Sequence, residues 1–362
     1  MPSDAGSIIT VMGAVEPSEL GLTMAHEHVF LDMVRGWFDE PERPQERRLA
    51  EEPMSLELLG YIRENPLANK DNMRLESMDD AMEELRKYRM AGGDAIVDVT
   101  PKNVGADPER VRKIARATGV RFVHGTAYYT RVSHPDHVDQ STGEELEAEF
   151  VSDVRDGIDE TDVRAGQIGE IGLSGTIHEQ EEKVLRAGAR AARRTGASLN
   201  IHPPLFGPEP SPRAALAALD IVESEGLDPH RVVVSHMDQD HRATQELSDH
   251  VELAERGAYL EFDEWDAWDM YMPDKDHAYP SDATRVDAVV ELLDRGYGSR
   301  LLLGHDVCTK MQLTKYGGKG YAYIPEHVIP WLRASGVSEE ETEQLLYENP
   351  RRALTFAEPE SV

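Results

Sequence analysis

Five short apolar runs spread along this chain each end abruptly in a side chain able to bind a metal ion, and each is followed by a turn signal and a helical pattern. LTMAHEHVFLD presents His26 and His28, AGQIGEIGLSG presents Glu170, ASLNIHPPLF presents His202, RVVVSHMDQD presents His236 and SRLLLGHDVCTK presents Asp306. Strand side chains alternate faces with period two, so His26 and His28 project the same way. By itself an H-x-H pair says little in a chain with 14 histidines. Six imidazole or carboxylate groups at matching strand ends can meet only if the strands are parallel and close into a barrel.

Three further strand-like runs, DAIVDVT (94–100), VRFVHGTA (120–127) and GAYLEFD (257–263), bring the count to eight. Helix-length segments alternate with them, with ordinary punctuation. Ser77 stands three residues before Asp80 as a capping box and Gly92-Gly93 stops that helix; Asp107-Pro108 opens the next and Gly119 closes it. Later helical stretches cover 179–194, 212–225, 240–256 and 283–295. The expectation is an α/β chain forming one (β/α)8 TIM barrel over residues 1–362. Three stretches read as additions: residues 1–20 as a β-hairpin plugging the barrel floor, the charged and proline-bearing 35–72 after the first strand, and the Gly- and Tyr-rich loop 307–325 after the last.

Charge limits the partners. With 38 basic and 69 acidic residues the net charge is −31, which opposes phosphate backbones and anionic membranes. The reading is a small-molecule substrate, with no nucleic acid and no membrane. Only nine of the basic residues are lysines, the balance of a protein that keeps its surface hydrated in concentrated salt. One cysteine, Cys308, permits no internal disulfide, no signal-like segment precedes Ile8 and no apolar span reaches 18 residues, so a cytoplasmic protein is expected. Three lysines, Lys310, Lys315 and Lys319, crowd into the loop after Asp306. They either bind an anionic part of the substrate, with Lys310 as the named candidate, or pair with local acids such as Glu326.

Four neutral imidazoles and two carboxylates suffice for two divalent ions: His26, His28 and Asp306 on one, His202 and His236 on the other, Glu170 between them. This donor set suits zinc first, with manganese, cobalt or nickel as alternatives. Two dications less Glu170, Asp306 and a bridging hydroxide leave one net positive charge, the two-metal recipe for hydrolysis. Asp306 then takes the proton as hydroxide adds.

GLTMAHEH, GEIG, NIHP, VVSH and GHDVCTKMQLTKYGGKGY together resemble the phosphotriesterase-related proteins of the amidohydrolase superfamily, from the hairpin before His26 to ENPRRALTF near the C-terminus. The resemblance implies a binuclear metal centre at the strand C-termini, with the six ligands above, and hydrolase activity. It also implies a pocket wall at Tyr129, where lactonase relatives place a tyrosine, and a homodimer. Two departures give it direction. Phosphotriesterases proper bridge their metals with a carboxylated lysine, whereas Glu170 resembles the glutamate-bridged branch; and Asp263 is followed by Glu264 where the lactonase branch has a basic residue. A small ester, amide or lactone, with or without an acidic group, is the expected substrate, with phosphotriesterase action as a side reaction at most. The alternatives are a lactonase or aryldialkylphosphatase as the main activity, or a TatD-type deoxyribonuclease, which shares the ligand list but not the charge balance or the KYGGKGY loop.

Other residues carry weaker expectations. Asp263 either lines the cavity or caps. Trp265, Trp268 and Tyr271 either wall a leaving-group pocket or staple their loop, and His305 points outward as a structural residue. His124, His134, His137, His178, His230, His241, His250, His277 and His327 read as surface or loop histidines.

Overall fold

The computed structural model describes residues 4–204, 209–240, 244–266 and 279–360, with the backbone alone of a short ladder, 271–272 with 277–278. Eight strands form one parallel sheet in strictly sequential order: β1 (Thr23–Glu27), β2 (Ala95–Asp98), β3 (Arg121–Thr126), β4 (Gln167–Gly172), β5 (Ser198–His202), β6 (Val232–Val234), β7 (Tyr259–Phe262) and β8 (Leu301–Leu303). Being covered on both faces, they read in sequence as apolar runs rather than as alternations. The last strand returns to the first, where the backbone N–H of Asp306 donates to the carbonyl of His26 at 3.2 Å. Gly304 permits that approach, since a Cβ there would lie 2.7 Å from the His26 Cβ. The (β/α)8 expectation holds.

Helices follow the strands as the punctuation indicates. Helix α1 (Met78–Met90) is capped by Ser77, whose hydroxyl accepts from the Asp80 N–H at 3.2 Å. The expected reciprocal half of the box is absent, because the Asp80 carboxylate is taken by Lys315 and Tyr316 from the loop after β8. Helix α2 (Pro108–Thr118) begins on an Asp107 cap and ends at Gly119 in the left-handed region. Helices α3 (Gly143–Arg155), α4 (Glu179–Thr195), α5 (Ser211–Ser224), α6 (Ser248–Arg256) and α7 (Asp282–Asp294) complete the ring. The stretch expected as a helix over 240–256 is helical only from Ser248, and 241–243 lie outside the described residues.

The barrel floor is closed from inside. Ile8–Thr10 pairs antiparallel with Gly13–Val15, and Ile8 and Leu20 pack against Ala95, Val97 and Val123 of β2 and β3 and against Leu354. Above the opposite end, the 35–72 excursion folds as two short helices (Pro44–Ala50 and Leu59–Glu64) and docks on the loop after β8 through Met54, Ile62 and Met311. No helix among the described residues is long and apolar enough to cross a membrane.

Candidate metal centre and pocket

All six expected ligands meet at the C-terminal rim. Glu170 lies at the centre: its Oε1 is 3.5 Å from His28 Nε2, while its Oε2 is 2.8 Å from His202 Nδ1, 3.8 Å from His236 Nε2 and 3.9 Å from His26 Nε2. Asp306 Oδ1 is 3.1 Å from His28 Nε2 and 3.8 Å from His26 Nε2. His236 Nε2 and His202 Nδ1 are 2.8 Å apart. One carboxylate oxygen of Glu170 thus faces His28, and the other faces His202, His236 and His26, so His26 stands between the two expected half-sites rather than in the His28–Asp306 half alone. Two of the six reach their place through strained backbone: His236 has φ 58° and Asp306 φ 49°, the left-handed region that non-glycine residues seldom occupy.

Buried hydrogen bonds fix which imidazole nitrogen faces the centre. The His236 Nδ1–H donates to Asp263 Oδ1 at 2.9 Å, and the His26 Nδ1–H to Glu261 Oε2 at 3.0 Å. For His28 the chain is longer: Thr100 donates its hydroxyl proton to Asp98 at 2.6 Å and therefore accepts the His28 Nδ1–H at 2.9 Å. In each case the Nε2 lone pair is left pointing inward, the arrangement that orients metal-binding histidines. Tyr129 serves His202 in the opposite sense, its hydroxyl lying 3.1 Å from Nε2, which leaves Nδ1 inward. Asp263 therefore neither caps a helix nor lines the cavity as expected; it holds a ring.

Two carboxylates escaped the sequence reading. Glu261 is fully buried and shared between His26, Ser235 and Asn200. Glu27, the middle residue of H-x-H, points to the other side of its strand and accepts the backbone N–H groups of His305 and Val307, both at 3.0 Å. It clamps the chain on each side of Asp306. Period two placed Glu27 opposite the histidines, but nothing local reveals what lies on that side.

The electrostatics favour cations. Burial alone would lower the His26 pKa, yet Asp263 and Glu261 push it up to about 10. Burial alone would raise Glu170, yet the adjoining His202 holds its carboxyl well below the usual range; Asp306 is likewise held low by His28 and His26 against its burial. The buried carboxylates around His26 and His236 pull both imidazoles toward positive charge, whereas burial pushes His202 down. His26 Nε2 and Asp306 Oδ1 are both buried without a hydrogen-bond partner. Unpartnered inward atoms among imidazoles and carboxylates fit divalent ions. His26, Glu170 and His236 form one set of ligand atoms within 4.8 Å of one another, and His26, His28 and Asp306 form another. Glu261 and Asp263 add two buried carboxylates against the ring nitrogens, so the cluster holds more acidic groups than the six expected ligands alone.

Above the ligands lies a cavity of about 60 Å³. Leu31, Met33, Trp37, Leu67 and Val104 give it an apolar wall, and Tyr129, Gln239, Glu264, Tyr279 and Gln312 give it polar groups. Tyr129 is where the resemblance implied. Lys310 is not: its ammonium is 2.6 Å from Asp71 in the excursion after β1, and it does not line the cavity. Lys315 is paired with Asp80. The acids that claim these lysines are thus Asp71 and Asp80 rather than Glu326, brought close only by the docking of distant segments. Trp265 is fully buried with its Nε1–H on the Phe262 carbonyl, so it staples its loop and walls nothing; Trp268 and the Tyr271 side chain lie outside the described residues. His305 is a structural residue, as expected, bound to the Gly320 carbonyl at 2.9 Å. His124, His134 and His250 are buried, not on the surface, because each ring finds a backbone carbonyl inside the fold.

Comparison with known proteins agrees with this geometry. A sequence model described as the Phosphotriesterase family matches residues 6–354. The N-acetyltaurine hydrolase of Danio rerio is 36% identical over 353 residues, which is 97% of this chain and 98% of that protein. Among solved structures, a resiniferatoxin-binding protein from Rhodobacter sphaeroides superposes with a TM-score of 0.91 at 39% identity, covering 98% of each chain. A phosphotriesterase homology protein from Escherichia coli, complexed with phosphate in its active site, superposes at 0.74 with 28% identity, covering 93% of this chain and 99% of that one.

Proposed function

Because the chain belongs to the phosphotriesterase family and is a hydrolase, we propose that it cleaves small N-acyl amines carrying an anionic group, with N-acetyltaurine as the first substrate to test. His26, His28, Glu170, His202, His236 and Asp306 hold two divalent ions, zinc before manganese, cobalt or nickel. The observation that carries this reading is the convergence of inward nitrogens and carboxylate oxygens, two of them buried and unpartnered, beneath a small pocket. The assignment of an amide rests on relatives that match over nearly their whole length.

When bound, the ion pair supplies an activated water and polarises the carbonyl. The protein's own groups do the rest. Asp306, held as a carboxylate, takes the proton released as water adds to the carbonyl carbon and passes it to the amine nitrogen as the C–N bond breaks, yielding a carboxylic acid and an amine, which leave as carboxylate and ammonium once the acid's proton transfers to the amine. Tyr129, whose burial pushes its pKa well up, keeps its proton and can donate to the carbonyl oxygen. Leu31, Met33 and Trp37 exclude bulk water from the short acyl chain.

The test is a hydrolase screen on protein with its metal content measured: N-acetyltaurine and other N-acyl amino acids beside lactones, paraoxon-like triesters and DNA. The expected result is two metals per chain and the highest kcat/KM on the N-acyl amines. A higher kcat/KM on a lactone or triester, or DNA cleavage, overturns the proposal.

A further inference from the structure

Among the described residues, the pocket over the ligands is lined by no lysine and no arginine. The described structure offers a countercharge for an anionic substrate in a neighbouring place. A second cavity of about 510 Å³ opens between the Leu59–Glu64 helix, the start of α7 and the loop after β8. Gln312 stands in the walls of both cavities. That side chain is firmly held: its Oε1 accepts from the Cys308 and Thr309 amides, each at 2.9 Å, and its Nε2 donates to the Asp306 carbonyl at 2.9 Å. It stands at the edge that the two cavities share, beside Asp306.

Three cations line the second cavity: Arg63, Arg285 and Lys319. Of the three lysines crowded after Asp306, Lys319 alone makes no ion pair among the described residues. Arg63 likewise has no carboxylate partner there and donates only a long bond, 3.4 Å, to the Gly317 carbonyl. Arg285 is buried. Its Nε is 3.0 Å from Asp238 and its Nη1 bonds Pro280 and Asp282, while Nη2 has no partner. The acids of the cavity are Asp266 and Asp282, and Asp282 is already engaged by Arg285 and by the Tyr323 hydroxyl. Asp266 is the acid that Lys319 and Arg63 both act on, with no ion pair to either among the described residues, and in a chain with a net charge of −31 three cations against two acids are not what surface balance produces.

We propose that this cavity receives the anionic end of the amide substrate, a sulfonate or carboxylate, with Arg63 and Lys319 closing on it and Arg285 forming its charged floor, while the acyl end lies beyond Gln312 under the ligands. The inference rests on the amide-hydrolase reading above. It also accounts for the lysine cluster of the sequence: Lys310 and Lys315 hold the loop to its neighbours through ion pairs, and Lys319, whose ammonium lies 5.5 Å from the centre of the Tyr323 ring, stands at the second cavity.

The experiment compares N-acetyltaurine with an uncharged isostere in which a methyl sulfone replaces the sulfonate, on the intact metal-loaded protein and on Arg63→Gln, Lys319→Gln and the double variant. Both residues are exposed, so the variants should fold. The expected result is that the wild type prefers the sulfonate and that the double variant loses about tenfold of this preference, through KM rather than kcat. Calorimetric titration with taurine, which carries the same sulfonate without the scissile bond, should show a matching loss of affinity. If the wild type cleaves N-acetyltaurine but the variants keep the full preference and affinity, the anion subsite is wrong and the amide reading stands. Should the wild type cleave neither compound, the amide reading fails and takes the subsite with it.

Discussion

The two ends of this barrel are built from opposite materials. At the floor Ile8, Leu20, Ala95, Val97, Val123 and Leu354 are all essentially inaccessible and all apolar. At the rim Glu27, Glu170, Glu261, Asp263 and four imidazoles are as deeply buried, yet are ionisable. Burying apolar surface stabilises each floor residue by about 1.5–3 kcal/mol, whereas burying ionisable groups costs free energy unless each finds a partner. The floor can therefore be weakened without touching chemistry. The rim holds its ionisable groups on partly strained backbone and leaves two of their atoms unpartnered, and so has exchanged stability for the cluster proposed to bind ions.

The sharpest way to break that contrast is Asp306→Asn. Removing the proton acceptor should lower kcat by roughly 10²–10⁴-fold while the thermal midpoint stays level or rises. A fall in stability with turnover retained would make Asp306 a structural residue. At the other end, Ile8→Ala should cost about 2–4 kcal/mol in chemical denaturation and leave kcat within twofold. A kinetic defect there would show that the floor is coupled to the rim.

Between these lies Glu27→Gln. It removes one acceptor from the amides flanking Asp306 without touching the pocket, so metal affinity should drop about 10–100-fold, measured by competition with a chelator. Unchanged affinity would remove Glu27 from the site. The smallest effect concerns a buried group away from the ligands. His250 donates to the Met237 carbonyl through Nε2 and has no partner for Nδ1, and burial pushes its pKa down to about 4. A histidine depressed on folding takes its second proton more readily in the unfolded chain. Its penalty is absent above about pH 6.5 and grows as pH falls toward 4, reaching about 2 kcal/mol at pH 5. His250→Gln should flatten the stability–pH curve over that window; an unchanged slope would assign acid sensitivity to other groups.

How much of this was legible in the chain divides by the range of the interactions. The eight strands, the six rim residues and the floor hairpin were readable because local patterns encode them. An apolar run long enough for a buried strand, a helix punctuated by Asp107-Pro108 and Gly119, and a ligand at each strand end are one-dimensional signals. Glu261 sits in GAYLEFD with no signal at all, since a carboxylate within a strand acquires meaning only when His26, over two hundred residues away, is placed against it. Lys310 failed as a substrate contact for the same reason: Asp71 reaches it through an excursion whose docking is tertiary.

Sequence by itself determined that parallel strands must close and that their ends would gather imidazoles and carboxylates, because strand periodicity and barrel closure leave those side chains nowhere else to point. Only the tertiary structure decided which ring nitrogen faces inward, which lysine stays unpaired, and that Asp306 is clamped from the far side of β1. Those outcomes depend on distances between segments remote in the chain, and charge and hydrogen bonding act on distance in space.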